Sequence, residues 1–316
     1  MKKTKILVTG ASGQIGEVLT TTLRQQYGEG KVIASDIRLP DHTDPLFETL
    51  DILDRRSLEA LVKKYQVTQI YHLAAILSAK GEKQPMLAWN VNMNGLFNVL
   101  KVATDHKLKV FFPSSIAVFG SKTPKEQTPQ FTVQEPESVY GISKVAGESW
   151  CQYFHQHYGL DVRSVRYPGI ISYQSLPGGG TTDYAVDIYH YAVKRQPYEC
   201  FLKPDSKLPM MYMPDAVRAT LEIMEAPADA IKVRTSYNLG SMSFTPTEIT
   251  AEIRKHHPEF QVNYQPDYRA EIAASWPSSI DDSAARKDWG WQPEYNLEEM
   301  TKDMLFHLGK KYEMAV

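Results

Sequence analysis

The chain has 316 residues, of which 42% are hydrophobic and 23% charged. That length and balance can bury a sizeable core, which excludes a disordered or fibrous protein and suggests about two units, or one large domain with an elaborated end. With 35 Lys and Arg against 37 Asp and Glu the net charge is -2, so no general field draws the chain to nucleic acid or an anionic membrane, and a small molecule is the expected partner.

The opening MKKTKILVTG has an apolar run of only about five residues, too short for a signal peptide. No later run approaches the roughly 20 residues of a membrane span. Cys151 and Cys200 sit among apolar and aromatic neighbours and read as buried thiols of a reducing compartment. The expected location is cytoplasmic.

Lys5–Thr9 (KILVT) predicts a first strand, followed by a glycine-rich turn and a helix over Gln14–Tyr27. Lys31–Ser35 predicts the second strand. Gln69–Leu73, Val110–Pro113 and Val162–Tyr167 predict later ones, with helices over Arg56–Tyr65, Pro85–His106 and Ser138–Tyr158 between them. Strands alternating with helices are the signature of βαβ units, and runs apolar throughout belong to strands covered on both faces. After about Pro168 the rhythm changes to dense prolines, glycines and aromatics. Helices are predicted over Asp183–Arg195, Asp215–Glu225 and Thr247–His256. The expected fold is α/β: a Rossmann-type doubly wound parallel sheet over residues 1–168, and a smaller C-terminal α/β lobe over 169–316 that binds substrate, some of its segments returning to the first domain.

Thr9–Gly16 (TGASGQIG) places Gly10, Gly13 and Gly16 between the first strand and its helix. Glycines there permit a tight turn and close approach of a pyrophosphate, which the N–H groups around Ser12, Gly13, Gln14, Ile15 and Gly16 would hold. Asp36 ends the second strand, 20 residues beyond Gly16, where a carboxylate accepts from both adenosine ribose hydroxyls and repels a 2′-phosphate. Asp36 and Ile37 therefore favour NAD, with Arg38 as the counter-signal, since a guanidinium receives such a phosphate. Asp51 and Ile52 either flank an adenine or are a helix-entry aspartate and a core isoleucine. Leu73, Ala74 and Ala75, small at the end of the third strand, suit close approach of the cofactor or close packing alone.

Tyr140 and Lys144 stand at i and i+4 on one helix face. A phenol with a pKa of about 10 is a poor base at neutral pH, and a nearby ammonium favours its phenolate. The pair suits removal of a hydroxyl proton while hydride leaves for nicotinamide. Ser114 and Ser115 end the fourth strand, where a hydroxyl can orient the substrate oxygen. Asn92 either anchors a carbonyl or water behind Lys144 or is a satisfied polar residue at a helix kink. The nine histidines show no metal-binding spacing, so no metal site is predicted.

These residues resemble the extended short-chain dehydrogenase/reductases, which include UDP-galactose epimerase. The resemblance extends through Ser279–Ser283 and the WGWQP of Trp289–Pro293. Within that family, RYPGIIS (Arg166–Ser172), PGGGTTDYAVDIYH (Pro177–His190) and LPMMYMPDAVRA (Leu208–Ala219) are similar to the L-threonine 3-dehydrogenase branch. The resemblance implies oxidation of L-threonine by NAD to 2-amino-3-oxobutanoate, with Tyr140 as base, Ser115 orienting the substrate and Lys144 holding the nicotinamide ribose. It implies that Ser78, Gly180 and Thr181 touch the amino acid, that Trp276 closes the pocket, and that Tyr167 and Ile170 line the nicotinamide. It also implies a homodimer through the helices over Pro85–His106 and Ser138–Tyr158.

Sugar-nucleotide relatives carry a basic run where this chain has Leu208–Asp215 (LPMMYMPD), and a tyrosine where it has Phe119. Both departures disfavour a UDP-sugar. The alternatives are an epimerase or dehydratase that recycles its NAD, and a non-catalytic NAD sensor, which would often lack the tyrosine–lysine pair.

Overall fold

A run such as Ile6–Val8 has no polar alternation and is fully buried, so a sheet built from it must be covered on both faces. The computed structural model describes residues 4–40, 44, 46–176, 178 and 180–313. The chain begins β1 (Ile6–Thr9), α1 (Gln14–Tyr27), β2 (Val32–Asp36), β3 (Phe47–Thr49), α2 (Arg55–Tyr65), β4 (Gln69–His72), α3 (Ser78–Lys83), α4 (Pro85–Trp89), α5 (Gly95–His106), β5 (Lys109–Ser115), α6 (Val139–Tyr158) and β6 (Asp161–Tyr167). It continues β7 (Gly169–Ile171), α7 (Tyr184–Val193), β8 (Tyr198–Cys200), β9 (Leu208–Tyr212), α8 (Met213–Glu225), β10 (Tyr237–Asn238), β11 (Met242–Phe244), α9 (Pro246–Arg254), β12 (Val262–Tyr264), α10 (Tyr268–Ser275), α11 (Ser283–Trp289) and α12 (Leu297–Glu313).

Seven strands pair in the order β10-β6-β5-β4-β1-β2-β3. From β3 to β5 every pair is parallel, with Ile6 opposite both Val32 and Gln69. The strand order reverses between β1 and β4, which is where doubly wound sheets bind ligands, at the carboxyl ends of the strands.

The chain divides into two compact units. The first runs to Ser115 and adds Glu137–Arg166 and Val217–Tyr237. The second holds Ile116–Pro136, Tyr167–Ala216 and the chain from Asn238 on. The chain therefore passes between units several times. The first unit's core packs Leu58 and Val62 of α2, Leu96, Val99 and Ala103 of α5, and Cys151 of α6 with strand residues Leu7, Ile33 and Val110. The second has its own core, in which Tyr184, Ile188 and Tyr189 of α7 meet Ile249 and Ile253 of α9 and Met300, Met304 and Leu308 of α12. Its two small sheets run β11-β9-β7 and β12-β8.

The helix expected over Pro85–His106 is not continuous. A π-helical turn, Asn90–Asn94, separates α4 from α5; such wide turns concentrate at functional sites. The short strand β3 and the helices α10, α11 and α12 lay outside the sequence expectation. Several helix starts have side-chain caps: Asp54 for α2, Ser138 for α6, Asp267 for α10, and for α9 a capping box of Thr245 with Glu248. The cap of α1 is Gly13, a residue with no side chain to accept from the first turn.

Candidate active site

The β1–α1 turn needs glycine for two separate reasons. Gly10 has φ +75°, and a Cβ on it would lie 2.5 Å from the Ala74 nitrogen in the segment after β4. A Cβ on Gly16 would lie 2.2 Å from the Gly10 carbonyl oxygen. The turn is thus pressed against Leu73 and Ala74 at the sheet's switch point, and Leu73 N–H donates to the Thr9 carbonyl at 2.9 Å. The uncapped start of α1 leaves the first-turn N–H groups near Gln14 and Ile15 without a side-chain acceptor, which suits an anion.

Asp36, at the end of β2, accepts from the Ser12 and Arg38 backbone N–H groups, each at 3.1 Å. Arg38 swings back to donate to the Ser12 carbonyl at 3.1 Å, and Ser12 Oγ donates to the Arg38 carbonyl at 3.1 Å. The guanidinium is 69% exposed, and its Nε lies 4.0 Å from the Asp36 carboxylate. Asp36 thus stands pinned beside the glycine turn, with the exposed Ile37 next to it. This carboxylate, the glycine turn and the uncapped helix start together fit the adenosine and pyrophosphate of a dinucleotide. Asp51 is exposed and accepts from Leu53 N–H at 2.9 Å, and the Ile52 side chain packs in the core, where a Cβ on Gly95 would strike it at 2.9 Å.

Beyond Ala75, Asn92 in the π-helical turn grips Ile76 on both sides. Its Oδ1 accepts from Ile76 N–H at 2.8 Å and its Nδ2 donates to the Ile76 carbonyl at 3.0 Å. Nδ2 also reaches Ser143 Oγ at 3.2 Å, and that hydroxyl donates to the Tyr140 carbonyl at 2.7 Å. Asn92 therefore clamps the segment leading to Ser78, the first residue of α3, onto the helix carrying Tyr140.

On α6, Tyr140 and Lys144 face the end of β5. The Tyr140 phenol hydrogen-bonds Ser115, which favours its ionised form, but burial is the larger effect and pushes the phenol up to about 12. This reverses the sequence expectation of a lysine-lowered phenol. Lys144 Nζ donates to the Pro113 carbonyl at 2.6 Å and lies 5.3 Å from the Tyr140 ring centroid and 4.6 Å from that of Phe112. Burial pulls the amine down to about 8, while Cys151 and Glu148 act to raise it. His72, at the end of β4, bonds Thr9 Oγ1 at 2.9 Å. Burial, with the Lys144 charge beside it, pushes the imidazole down to about 3, so it stays neutral.

The remaining expected contacts belong to the second unit. Tyr167 is buried, with its hydroxyl 3.5 Å from the Ala216 carbonyl, and Ile170 sits in β7. Gly180 N–H donates to Asp183 Oδ2 at 2.7 Å, just before α7, and Thr181 beside it is 5% exposed. Trp276 packs against that unit's core. Pro177 and Gly179 of the glycine–threonine loop, and Lys2 and Lys3 of the basic start, lie outside the described residues. Both cysteines are free and buried. Among the described residues, no group of three His, Cys, Asp or Glu is placed to hold a metal, and no helix is long and apolar enough to cross a membrane.

Sequence reasoning named Ser114 but missed Glu148 and Arg166, with which it forms a buried polar cluster behind the site. A signal was present: Tyr140, Lys144 and Glu148 recur every four residues on one stripe of α6.

Residues 6–240 match the family model described as the NAD dependent epimerase/dehydratase family. The chain is 49% identical over 315 residues to the mitochondrial L-threonine 3-dehydrogenase of Bos taurus, covering 98% of this chain and 84% of that one. It superposes with TM-score 0.95 and 57% identity on a GalE-like L-threonine dehydrogenase from Cupriavidus necator in its holo form, covering 96% of this chain and 99% of that chain. A monomeric L-threonine 3-dehydrogenase from a metagenome matches at TM-score 0.94 and 50% identity, covering 97% and 99%.

Proposed function

This chain belongs to the NAD-dependent epimerase/dehydratase family, and on that premise we propose that it is an L-threonine 3-dehydrogenase. It is an NAD-dependent oxidoreductase that converts L-threonine and NAD to 2-amino-3-oxobutanoate, NADH and a proton. The observation that carries the reading is the Tyr140 phenol bonded to Ser115, with Lys144 one turn along α6, in a chain about half identical to enzymes of that activity.

NAD, when bound, supplies the cationic ring that accepts hydride from C3 of threonine. Asp36 would hold the adenosine ribose, and the turn from Gly10 to Gly16 the pyrophosphate. Tyr140 takes the proton of the C3 hydroxyl, and Ser115 holds that hydroxyl in line. Lys144, still an ammonium at neutral pH, places positive charge beside the phenol and would hold the nicotinamide ribose. Burial has pushed the phenol up, so Tyr140 is a weak acid but a strong proton acceptor once ionised, and the Ser115 hydrogen bond favours that ionised form. The assignment of Ser78, Gly180, Thr181 and Trp276 to threonine, and of Tyr167 and Ile170 to nicotinamide, rests on the family resemblance, as does the division of labour between residues 1–168 and 169–316.

The enzyme is cytoplasmic on this reading, consistent with its two free thiols. A homodimer is supported by apolar side chains left exposed on α4 and α6. Met86 is 76% exposed, and Trp150, Tyr153 and Tyr158 join Phe154 in an aromatic cluster along α6. Sedimentation of the purified chain at the mass of one chain, 35.9 kDa, would remove the dimer, as for the monomeric relative.

The activity is tested by following NADH absorbance after mixing purified chain, NAD and L-threonine. NADH formation that depends on threonine is expected. No NADH with threonine, alongside interconversion of a UDP-sugar without net NADH, would replace this reading with a sugar-nucleotide epimerase.

A further inference from the structure

Glu148 lies one turn beyond Lys144 on α6 and is 1% exposed; Arg166, on β6, is 4% exposed. Arg166 Nε donates to Glu148 Oε1 at 2.9 Å and Nη2 donates to Oε2 at 2.7 Å. Ser114 Oγ donates to the same carboxylate at 2.5 Å. A pair this deep adds little to stability, because desolvation offsets most of the attraction, so its position is the more informative property.

Three consecutive residues at the end of β5 are each tied to α6. The Pro113 carbonyl accepts from Lys144, Ser114 donates to Glu148, and Ser115 bonds Tyr140. Two of these ties involve groups that the reaction itself requires: the Ser115 hydroxyl must turn to substrate and the Lys144 ammonium to the ribose. The Ser114–Glu148 tie engages neither, so it can hold the strand end against the helix throughout turnover.

We propose that Glu148, gripped by Arg166, is a positioning residue: through Ser114 it fixes the end of β5 so that Ser115 and Lys144 keep their places. The groups facing that amine are few. On α6 they are Tyr140, Glu148 and Cys151; from β4 comes His72, held neutral; from β6 comes Arg166, through Glu148. Glu82 of α3 meets α6 at Val139 N–H. Neutralising Glu148 leaves the Arg166 cation as the dominant charge behind Lys144, so the amine sheds its proton at lower pH.

The inference rests on the threonine dehydrogenase reading, and three variants of the full chain test it. Glu148→Gln should lower kcat at least about tenfold, leave KM for L-threonine within about twofold, and move the alkaline limb of the pH–rate profile to lower pH. Glu148→Asp, which keeps the charge, should return the limb to its wild-type position. Ser114→Ala should lower kcat by about threefold to tenfold with the limb in place, since only the tie is lost. A Gln variant that melts cooperatively and shows an unmoved limb overturns the proposal whatever its rate. If that variant does not fold, a wild-type kcat in Ser114→Ala overturns it. Wild-type chain that makes no NADH from L-threonine overturns the functional reading itself, an outcome distinct from an active wild type with an unmoved limb.

Discussion

The two ends of the seven-stranded sheet treat charge in opposite ways. At the amino end, Asp161 opens β6 and accepts from Arg163 Nε and Nη2 and from Arg234 Nη1, each at 3.0 Å. Arg163, 1% exposed, also donates to the Ile223, Met224 and Ala226 carbonyls at the end of α8, where a cation suits both the unpaired carbonyls and the helix dipole. Burial pushes the Asp161 carboxyl up, but Arg163 and Arg234 outweigh it and hold it below the ordinary range. At the carboxyl end the balance runs the other way. Tyr140 is pushed to about 12, Lys144 to about 8 and His72 to about 3, each away from its charged form and each chiefly by burial. One end pairs its charges and is built for stability. The other leaves them only partly compensated, which is where reactive groups are found. A hollow of about 650 Å³ lies at the amino end, lined by Thr68, His106, Lys109 and Asp161, so size alone does not mark the site.

Substitution at each end should separate activity from stability. Tyr140→Phe removes the proton acceptor, and kcat/KM for L-threonine should fall by about a thousandfold or more, with unfolding free energy within about 1 kcal/mol of wild type. NADH absorbance and a thermal melt measure both; retention of a tenth of the activity would break the contrast. Arg163→Met does the reverse. It leaves Asp161 and the Ile223 and Ala226 carbonyls without their main donor, at a cost of about 3 kcal/mol or more in denaturant unfolding, while kcat of the folded fraction stays within about twofold. A large loss of kcat there would mean that the two ends are not separable.

The carboxyl end was also the more legible in the sequence, for a physical reason. Gly10, Gly16 and Asp36 act through backbone geometry and local spacing, so a turn between strand and helix announces them. Tyr140 and Lys144 share one helix, so their separation of four survives folding. Asn92 was visible as a residue able to anchor a carbonyl but not in the identity of its partners, because Ile76 and Ser143 lie 16 and 51 residues away. The π-helical turn holding it leaves no mark in an apolar pattern read at period 3.6. Glu148, Ser114 and Arg166 meet only through the pairing of β5 and β6 with α6, and each alone reads as an ordinary polar residue. In the second unit, β3-like brevity defeats pattern reading again: β7, β8, β11 and β12 have three residues each, less than two alternations of a strand.

A subtler effect is expected at the exposed edge of the carboxyl end. Asp36→Ala removes the acceptor for the Ser12 and Arg38 N–H groups and the repulsion of a 2′-phosphate. NAD binding, read by titration, should weaken by about 2 kcal/mol, roughly thirtyfold, and the preference for NAD over NADP should shrink. An unchanged preference would place the ribose elsewhere.

The smallest effect concerns the sign of Lys144's contribution to stability. Its folded pKa, about 8, lies below the ordinary 10.5, so between those values the unfolded chain holds a proton that the folded one has released. Stability from this group is therefore fully present above the unfolded value and is lost as pH falls through the folded one. At neutral pH both states are protonated, and the fold carries the whole cost of a buried ammonium, on the order of 3 kcal/mol. Lys144→Met keeps the apolar stem and abolishes that cost, though it leaves the Pro113 carbonyl short of a donor at about 1–2 kcal/mol. The variant should be inactive yet about 1 kcal/mol more stable than wild type near neutral pH, and the gain should fade as pH rises toward 10.5. A variant less stable at neutral pH, or one whose difference does not change with pH, would show that the carboxyl end gains stability from its charge just as the amino end does.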